Sequence, residues 1–252
     1  CEVTAGGRVS SRKGVNLPDS DLSIELPTDQ DRRFATWAIE HELDWIAMSF
    51  VRSADDVQAL DAHLRKVSGQ DKRPIPIVAK IEVPRAVDHA SEIVSEVDAL
   101  MVARGDLGVE IDIAMVPSIQ KHLVAVARDA GIPCIVATQM LQSMIEAPTP
   151  TRAEASDVAT AIFDRADGVM LSGETASGDH PVAAVEVMDR VAAQVEGDPG
   201  YRKFMDAEHA DPEATSADAI TAAARQVAET ISATAIVTYT TSGSTALRAA
   251  RE

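Results

Sequence analysis

Two kinds of apolar pattern alternate along the chain. Short runs without a charged residue occur at Trp45 to Met48, Ile75 to Ala79, Ala99 to Ala103, Cys134 to Ala137 and Gly168 to Leu171. Runs this short, bounded by charged or turn residues, predict strands covered on both faces, as in parallel sheets. Between them lie amphipathic segments that predict helices over 54–67, 85–94, 116–130 and 152–163. Ser53 is placed to cap the first, Pro84 opens the second and Gly131 ends the third. Thr151 with Glu154 three residues later forms a capping box for the fourth. Strand and helix in regular alternation mean repeated βα units and a parallel sheet.

Five such units do not close a (β/α)8 barrel, which needs eight strands. Either the sheet is open or three units lie upstream of Cys1. Residues 1–17 (CEVTAGGRVSSRKGVNL) are glycine-rich and basic, unlike the rest of the chain, and read as the end of a separate β-rich module, which favours the second view. The start on Cys1 rather than Met points the same way and predicts a truncated chain. Downstream, the pattern predicts a helix over 181–195, a polar linker over 197–212, a helix over 217–231, a strand over 235–239, the loop TTSGST and a last helix running to Glu252.

The balance of 40 acidic against 23 basic residues, net charge -17, makes nucleic acid and anionic membrane poor partners. An anionic ligand would need local positive charge or a metal to overcome that field. No apolar run approaches the length of a membrane helix, and two cysteines give no disulfide framework, so a soluble protein of a reducing cytoplasm is expected. The acidic, lysine-poor composition also suits a cell of high internal salt. The six histidines are scattered without metal-ligand spacing, and no dinucleotide or P-loop glycine motif occurs.

Chemistry collects where the apolar runs stop. They end at Ser49, at Lys80 with Glu82, at Arg104-Gly105-Asp106, at Thr138 and at Ser172-Gly173-Glu174. In a barrel these ends converge on one rim, so the charges of VARGD belong to a shared pocket; the plainer reading is an Arg104-Asp106 pair that caps a strand. Lys80 and Glu82, two apart on an extended segment, leave the same face. Glu82 and Asp106 are hard oxygen ligands suited to one Mg2+, with Lys80 a fixed charge beside it, an arrangement for phosphoryl transfer. The alternative is a structural ion pair. Gly105 lets backbone amides approach an anion. The loop of Thr240, Thr241, Ser242, Gly243, Ser244 and Thr245 reads either as a phosphate loop or as a plain capped turn.

The segments SRKGVNLP, IVAKIE, MVARGDLGVEI, ATQMLQSMI, PTRAEASDVATAIFD and MLSGETASGDHPVAAV, in this order, strongly resemble pyruvate kinase. The resemblance implies a (β/α)8 barrel domain, of which 18–197 would hold strands four to eight, with 1–17 returning from a β-rich B domain and 198–252 opening a C-terminal regulatory α/β domain. It implies phosphoryl transfer from phosphoenolpyruvate to ADP, giving pyruvate and ATP, with Mg2+ or Mn2+ held by Glu82 and Asp106. Lys80 resembles the lysine that binds the transferring group. Gly105, Asp106 and Thr138 resemble the part that holds the phosphoenolpyruvate or pyruvate end, Thr138 also orienting a water for protonation. Lys13 resembles a nucleotide contact, Ser172 and Glu174 pocket-lining residues in the proton path, and 240–245 an effector-phosphate loop. K+ is implied too, its ligands on strands outside this chain, as is a homotetramer at full length.

The chain departs from the family pattern at Val83-Pro84, at Gln142 and at Ser177, where Lys is common. Two other readings stand beside this one: a non-catalytic remnant, and a metal-dependent pyruvate aldolase or lyase on a similar barrel.

Overall fold

Five parallel strands form one sheet in the computed structural model, which describes residues 2, 3, 6–8, 10, 11, 14, 15, 17, 24–69, 71, 73–207, 214–241 and 243–251. They are β1 (Ile46–Met48), β2 (Ile77–Ile81), β3 (Ala99–Ala103), β4 (Cys134–Ala137) and β5 (Gly168–Met170). Their order in the sheet is their order in the chain. Each strand lies beside its predecessor, the order of a barrel wall; a doubly wound sheet would reverse direction at a switch point.

Helix α1 (Asp29–Glu40) precedes β1, and α2 (Ala54–Ser68) joins β1 to β2. The next crossovers carry α3 (Pro84–Asp88) with α4 (Ala90–Ile93), then α5 (Arg104–Glu110) with α6 (Val116–Ala130), then α7 (Arg152–Phe163). After β5 come α8 (Gly173–Ala176), α9 (Pro181–Glu196), α10 (Pro199–Ala207), α11 (Ser216–Thr230) and α12 (Ser244–Arg251).

The period-two geometry of a strand sorts side chains between the two faces. Ile77, Ala79, Ile81, Leu100, Val102, Cys134 and Val136 join the large core with Leu60, Leu64, Leu123, Val124, Val158 and Ile162 of the helices. Val78, Ala99, Met101 and Ala137 form a smaller cluster of their own, with Ile135 and Met170 packed on it. All five residues of β3 are buried, as the uninterrupted apolar run predicts. Lys80 and Glu82 continue the parity of Val78, which carries both to the inner face.

Aspartates lock the base of the sheet. Asp98 donates its amide to the Ile77 carbonyl at 3.0 Å and takes the Ile77 amide on its carboxylate at 2.9 Å. Asp167 repeats this with Cys134, at 2.9 and 2.8 Å.

Several sequence expectations are corrected. The second strand begins at Ile77 rather than Ile75, since Pro76 has no amide for a ladder; its carbonyl instead accepts the Ile46 amide at 3.0 Å. The strand also runs on through Lys80, so Glu82 is the first residue beyond it. Trp45 lies before the first strand and is half exposed. The helix expected over 85–94 is broken at His89, whose backbone (φ -104°, ψ 15°) leaves the helical range without a proline or glycine to announce it. Ser53 stands at the N-cap of α2 but makes no side-chain cap bond; Asp56 accepts the Arg52 amide at 2.9 Å.

The expected linker over 197–212 contains α10, anchored by Tyr201 edge-on to Phe163. Residues 235–240 form no strand, for no described segment pairs with them, and Val237 and Tyr239 stand almost fully exposed. The caps at Thr151 and Gly131 are as expected: Thr151 and Glu154 form the reciprocal box, and Gly131 is left-handed at φ 72°.

Candidate active site

The carboxyl ends of β1 to β5 carry the polar residues singled out from the sequence. At the end of β2 the Lys80 ammonium lies 2.6 Å from Glu82 Oε1 and donates to Ser49 Oγ, beyond β1, at 3.0 Å. Glu82 is 1% exposed, and its Oε2 accepts the Phe50 amide at 2.6 Å. Lys80 keeps 24% of its side-chain exposure. The pair is therefore anchored on its carboxylate and open on its ammonium. The contact at Oε1 is an ion pair without hydrogen-bond alignment, which leaves that buried oxygen able to face a cation.

At the end of β3 the structure separates what the sequence placed side by side. Arg104 is buried, 8% exposed, beneath the rim rather than in a shared pocket. Its Nη1 donates to Asp157 at 2.7 Å and to Gln120 at 3.2 Å; its Nη2 donates to the Thr138 carbonyl at 2.8 Å and lies 2.7 Å from Met140 Sδ. Neither the pocket charge nor the Arg104-Asp106 cap is what forms. Gln120 also donates to Asp164 at 3.0 Å, and Lys121 pairs with Asp164 at 2.6 Å. Asp157 and Gln120 were not found from sequence, because their partner lies 53 and 16 residues away, on other elements.

Gly105 is tied to the β4 loop. Its amide donates to Thr138 Oγ1 at 2.7 Å, so it is engaged within the protein. A Cβ there would lie 3.3 Å from the same hydroxyl, which is why a glycine suits this approach. Asp106, in the first turn of α5, keeps partial exposure at the rim.

Thr138 stands at φ 72° and Gln139 at φ 54°, a left-handed pair directly after β4. That region is costly for a β-branched residue. The hydroxyl donates to the Ala137 carbonyl at 2.6 Å and accepts from Gly105, which leaves one acceptor lone pair.

At the end of β5, Glu174 is 1% exposed and braces two loops: Oε1 accepts the Leu141 amide at 3.1 Å and Oε2 the Ser172 amide at 2.9 Å. It faces inward and ties Ser172, which keeps partial exposure, to the β4 loop. Glu154 does the same further out, taking the Ser143 amide and hydroxyl at 2.6 Å each.

The residues Lys13 and Ser242 lie outside the described residues. The rest of the 240–245 loop is a turn in which Gly243, at φ 83°, donates to Thr240 Oγ1 at 3.1 Å, with Ser244 opening α12. Among the described residues no group of three or more His, Cys, Asp or Glu is placed to hold a metal ion. No described helix is long and apolar enough to cross a membrane.

Residues 1–185 match the family model "Pyruvate kinase, barrel domain". A pyruvate kinase of Methylorubrum extorquens is 49% identical over 99% of the chain, and one of Thermotoga maritima is 42% identical over 99%. A crystal structure of a pyruvate kinase from Cryptosporidium parvum superposes with a TM-score of 0.83 at 37% identity, covering 94% of this chain and 49% of that one. The chain spans about half the length of the curated relatives it matches, 51% and 52% for the two bacterial proteins. The parallel sheet in chain order, the matched barrel model and these relatives agree: the chain belongs to the pyruvate kinase family.

Proposed function

We propose that this chain supplies the phosphoryl-transfer face of a pyruvate kinase, passing the phosphoryl group of phosphoenolpyruvate to ADP. The observation that carries the reading is the Lys80-Glu82 pair: a buried carboxylate fixed by the Phe50 amide, and an ammonium fixed by Ser49 yet turned to the open face. Such a preorganised cation, set where charge moves between oxygens, is worth more in transfer than in binding.

In the proposed reaction the bond between phosphorus and the enol oxygen breaks, its electron pair staying on that oxygen. A terminal oxygen of ADP takes the phosphorus, and the enolate then takes a proton at its methylene carbon to become pyruvate. Lys80 neutralises the moving group. Thr138, with one lone pair left, accepts a hydrogen from a water and so orients it toward the enolate. Ser172 lines the same end.

Glu82 and Asp106 would hold Mg2+ or Mn2+. The buried Oε1 of Glu82, facing only an ammonium, fits a hard cation, and two carboxylates leave coordination sites for substrate and water. The ion would supply charge neutralisation on the phosphates. Lys13 as a nucleotide contact, a K+ requirement, a homotetramer, an effector bound at 240–245, the domain divisions at 17 and 197 and a cytoplasmic location belong to the same proposal, on the strength of the family.

The test is pyruvate formation from phosphoenolpyruvate and ADP with Mg2+ and K+, by the 252-residue chain and by a version carried to the length of its relatives. Turnover by the longer version supports the reading. Inactivity of both, or pyruvate consumed with an aldehyde acceptor instead, overturns it.

A further inference from the structure

Thr138 is a β-branched residue held at φ 72° at the rim, with a second left-handed residue after it. Strain of this kind costs on the order of 1–3 kcal/mol and persists only where the surroundings over-determine it. A glycine or asparagine would adopt the same backbone more easily, but neither carries a hydroxyl.

What over-determines it can be read from the bonds. The carbonyl of Thr138 receives Arg104 Nη2 at 2.8 Å, and the hydroxyl is caught between the Gly105 amide at 2.7 Å and the Ala137 carbonyl at 2.6 Å. Arg104 in turn is fixed by Asp157 at 2.7 Å on α7 and Gln120 at 3.2 Å on α6. The guanidinium thus lies under the rim, its planar fork spanning two helices and the β4 loop. Arg104 is also covalently joined to Gly105, so one residue governs both the carbonyl of Thr138 and the amide that holds its hydroxyl.

We infer that Arg104, braced by Asp157, is a positioning residue that holds Thr138 in its left-handed conformation and thereby aims the one remaining lone pair of its hydroxyl at the reacting end of the substrate. This rests on the phosphoryl-transfer reading for what the hydroxyl serves, and on the bonds alone for how it is held. Arg104 touches no substrate in this scheme; it acts through Thr138.

The experiment uses the version of the protein carried to the length of its relatives. Asp157→Asn keeps the shape and lowers the grip on the guanidinium; Arg104→Lys keeps the charge and loses the fork. Each should lower kcat by about 10-fold or more, as misplacement of a reacting group does, with KM for phosphoenolpyruvate changed far less. In a Thr138→Ala background each should cost less than about twofold further, because residues acting through one another couple. Equal factors in both backgrounds overturn the inference and leave Arg104 a stabilising residue only.

A second readout does not depend on activity. In Asp157→Asn and Arg104→Lys the Gly105 amide should exchange its hydrogen faster than in the wild type, while amides at the base of the sheet do not change. Unaltered protection of Gly105 in both variants overturns the inference even where turnover falls. A wild-type protein that turns over no phosphoenolpyruvate overturns the assigned reaction, and the exchange comparison then decides by itself whether Arg104 holds Thr138.

Discussion

The carboxylate of Glu82 accepts the Phe50 amide at 2.6 Å, so the first residue beyond β2 holds the turn that leaves β1. Phe50 is itself left-handed at φ 54°, and the bond reaches across 32 residues of sequence. One buried carboxylate thereby fixes a backbone turn with one oxygen and an ammonium with the other.

This dual use separates two substitutions. Glu82→Gln keeps an acceptor for Phe50 and removes the charge facing Lys80. It should lower pyruvate formation by about 10²–10³, the usual effect of deleting one preorganised charge partner. Glu82→Ala also orphans the Phe50 amide and should lose about 1–3 kcal/mol of stability beyond the Gln variant. Lys80→Met should abolish transfer while the far-ultraviolet circular dichroism stays that of the wild type. Urea unfolding beside a pyruvate assay checks all three.

Stability should depend on pH through Glu154. Burial raises its pKa, but hydrogen bonds from Ser143 and Thr151 outweigh that and hold it below the ordinary glutamate value of 4.5. A depressed folded pKa means the stabilisation is fully present above the unfolded value and is lost as pH falls through the folded one. The stability gap between wild type and Glu154→Gln should therefore be constant near neutrality and shrink below about pH 4.5. Urea midpoints measured across that range test it; a gap independent of pH refutes it.

Cys134 should be inert. Burial, with the charge of Asp167 behind it, pushes its thiol up to about 12. Only the thiolate attacks a disulfide reagent. Thiol titration of the native chain should yield at most the equivalent belonging to Cys1, and the second only on unfolding in urea. Two equivalents from the native chain would show that β4 opens readily.

Gly178→Ala should destabilise without touching the rim directly. A Cβ there would meet the Glu174 carbonyl at 2.5 Å and Ile145 Cα at 3.2 Å, both backbone atoms that cannot swing aside. Overpacking of this kind costs about 1–3 kcal/mol, read as a lowered melting temperature. An unchanged melting temperature would mean that the 174–178 turn relaxes freely.

The architecture was legible because the three central strands are covered on both faces, whereas Ala47 of β1 is exposed and β5 is only partly buried. A run such as Ala99 to Ala103 needs no periodicity analysis when every residue is apolar, and the capping box at Thr151 marks its helix to the residue. The direct contact of Lys80 with Glu82 is the ion pair weighed as the alternative, and that the two share a face followed from strand parity. The reach of Arg104 did not. An arginine beside an aspartate invites a local pairing, whereas the choice of Asp157 depends on where α7 packs, which no local pattern records. The break at His89, the left-handed turn at Thr138 and the unpaired run over 235–240 failed to show for the same reason: each is decided by neighbours distant in sequence.

Asp98 and Asp167 join β2 to β3 and β4 to β5 at the base, while Glu82, Arg104 and Glu174 tie β1 to β2, β3 to β4 and β4 to β5 at the rim. Each of these side chains satisfies a backbone group of the neighbouring strand or its loop, so each can do so in only one alignment. A strand docked one residue out of step would turn its apolar residues to the wrong face and, at Glu82, Arg104 or Glu174, leave a buried charge unanswered. The charged residues at the ends of the sheet therefore penalise a misaligned register as well as hold the native one.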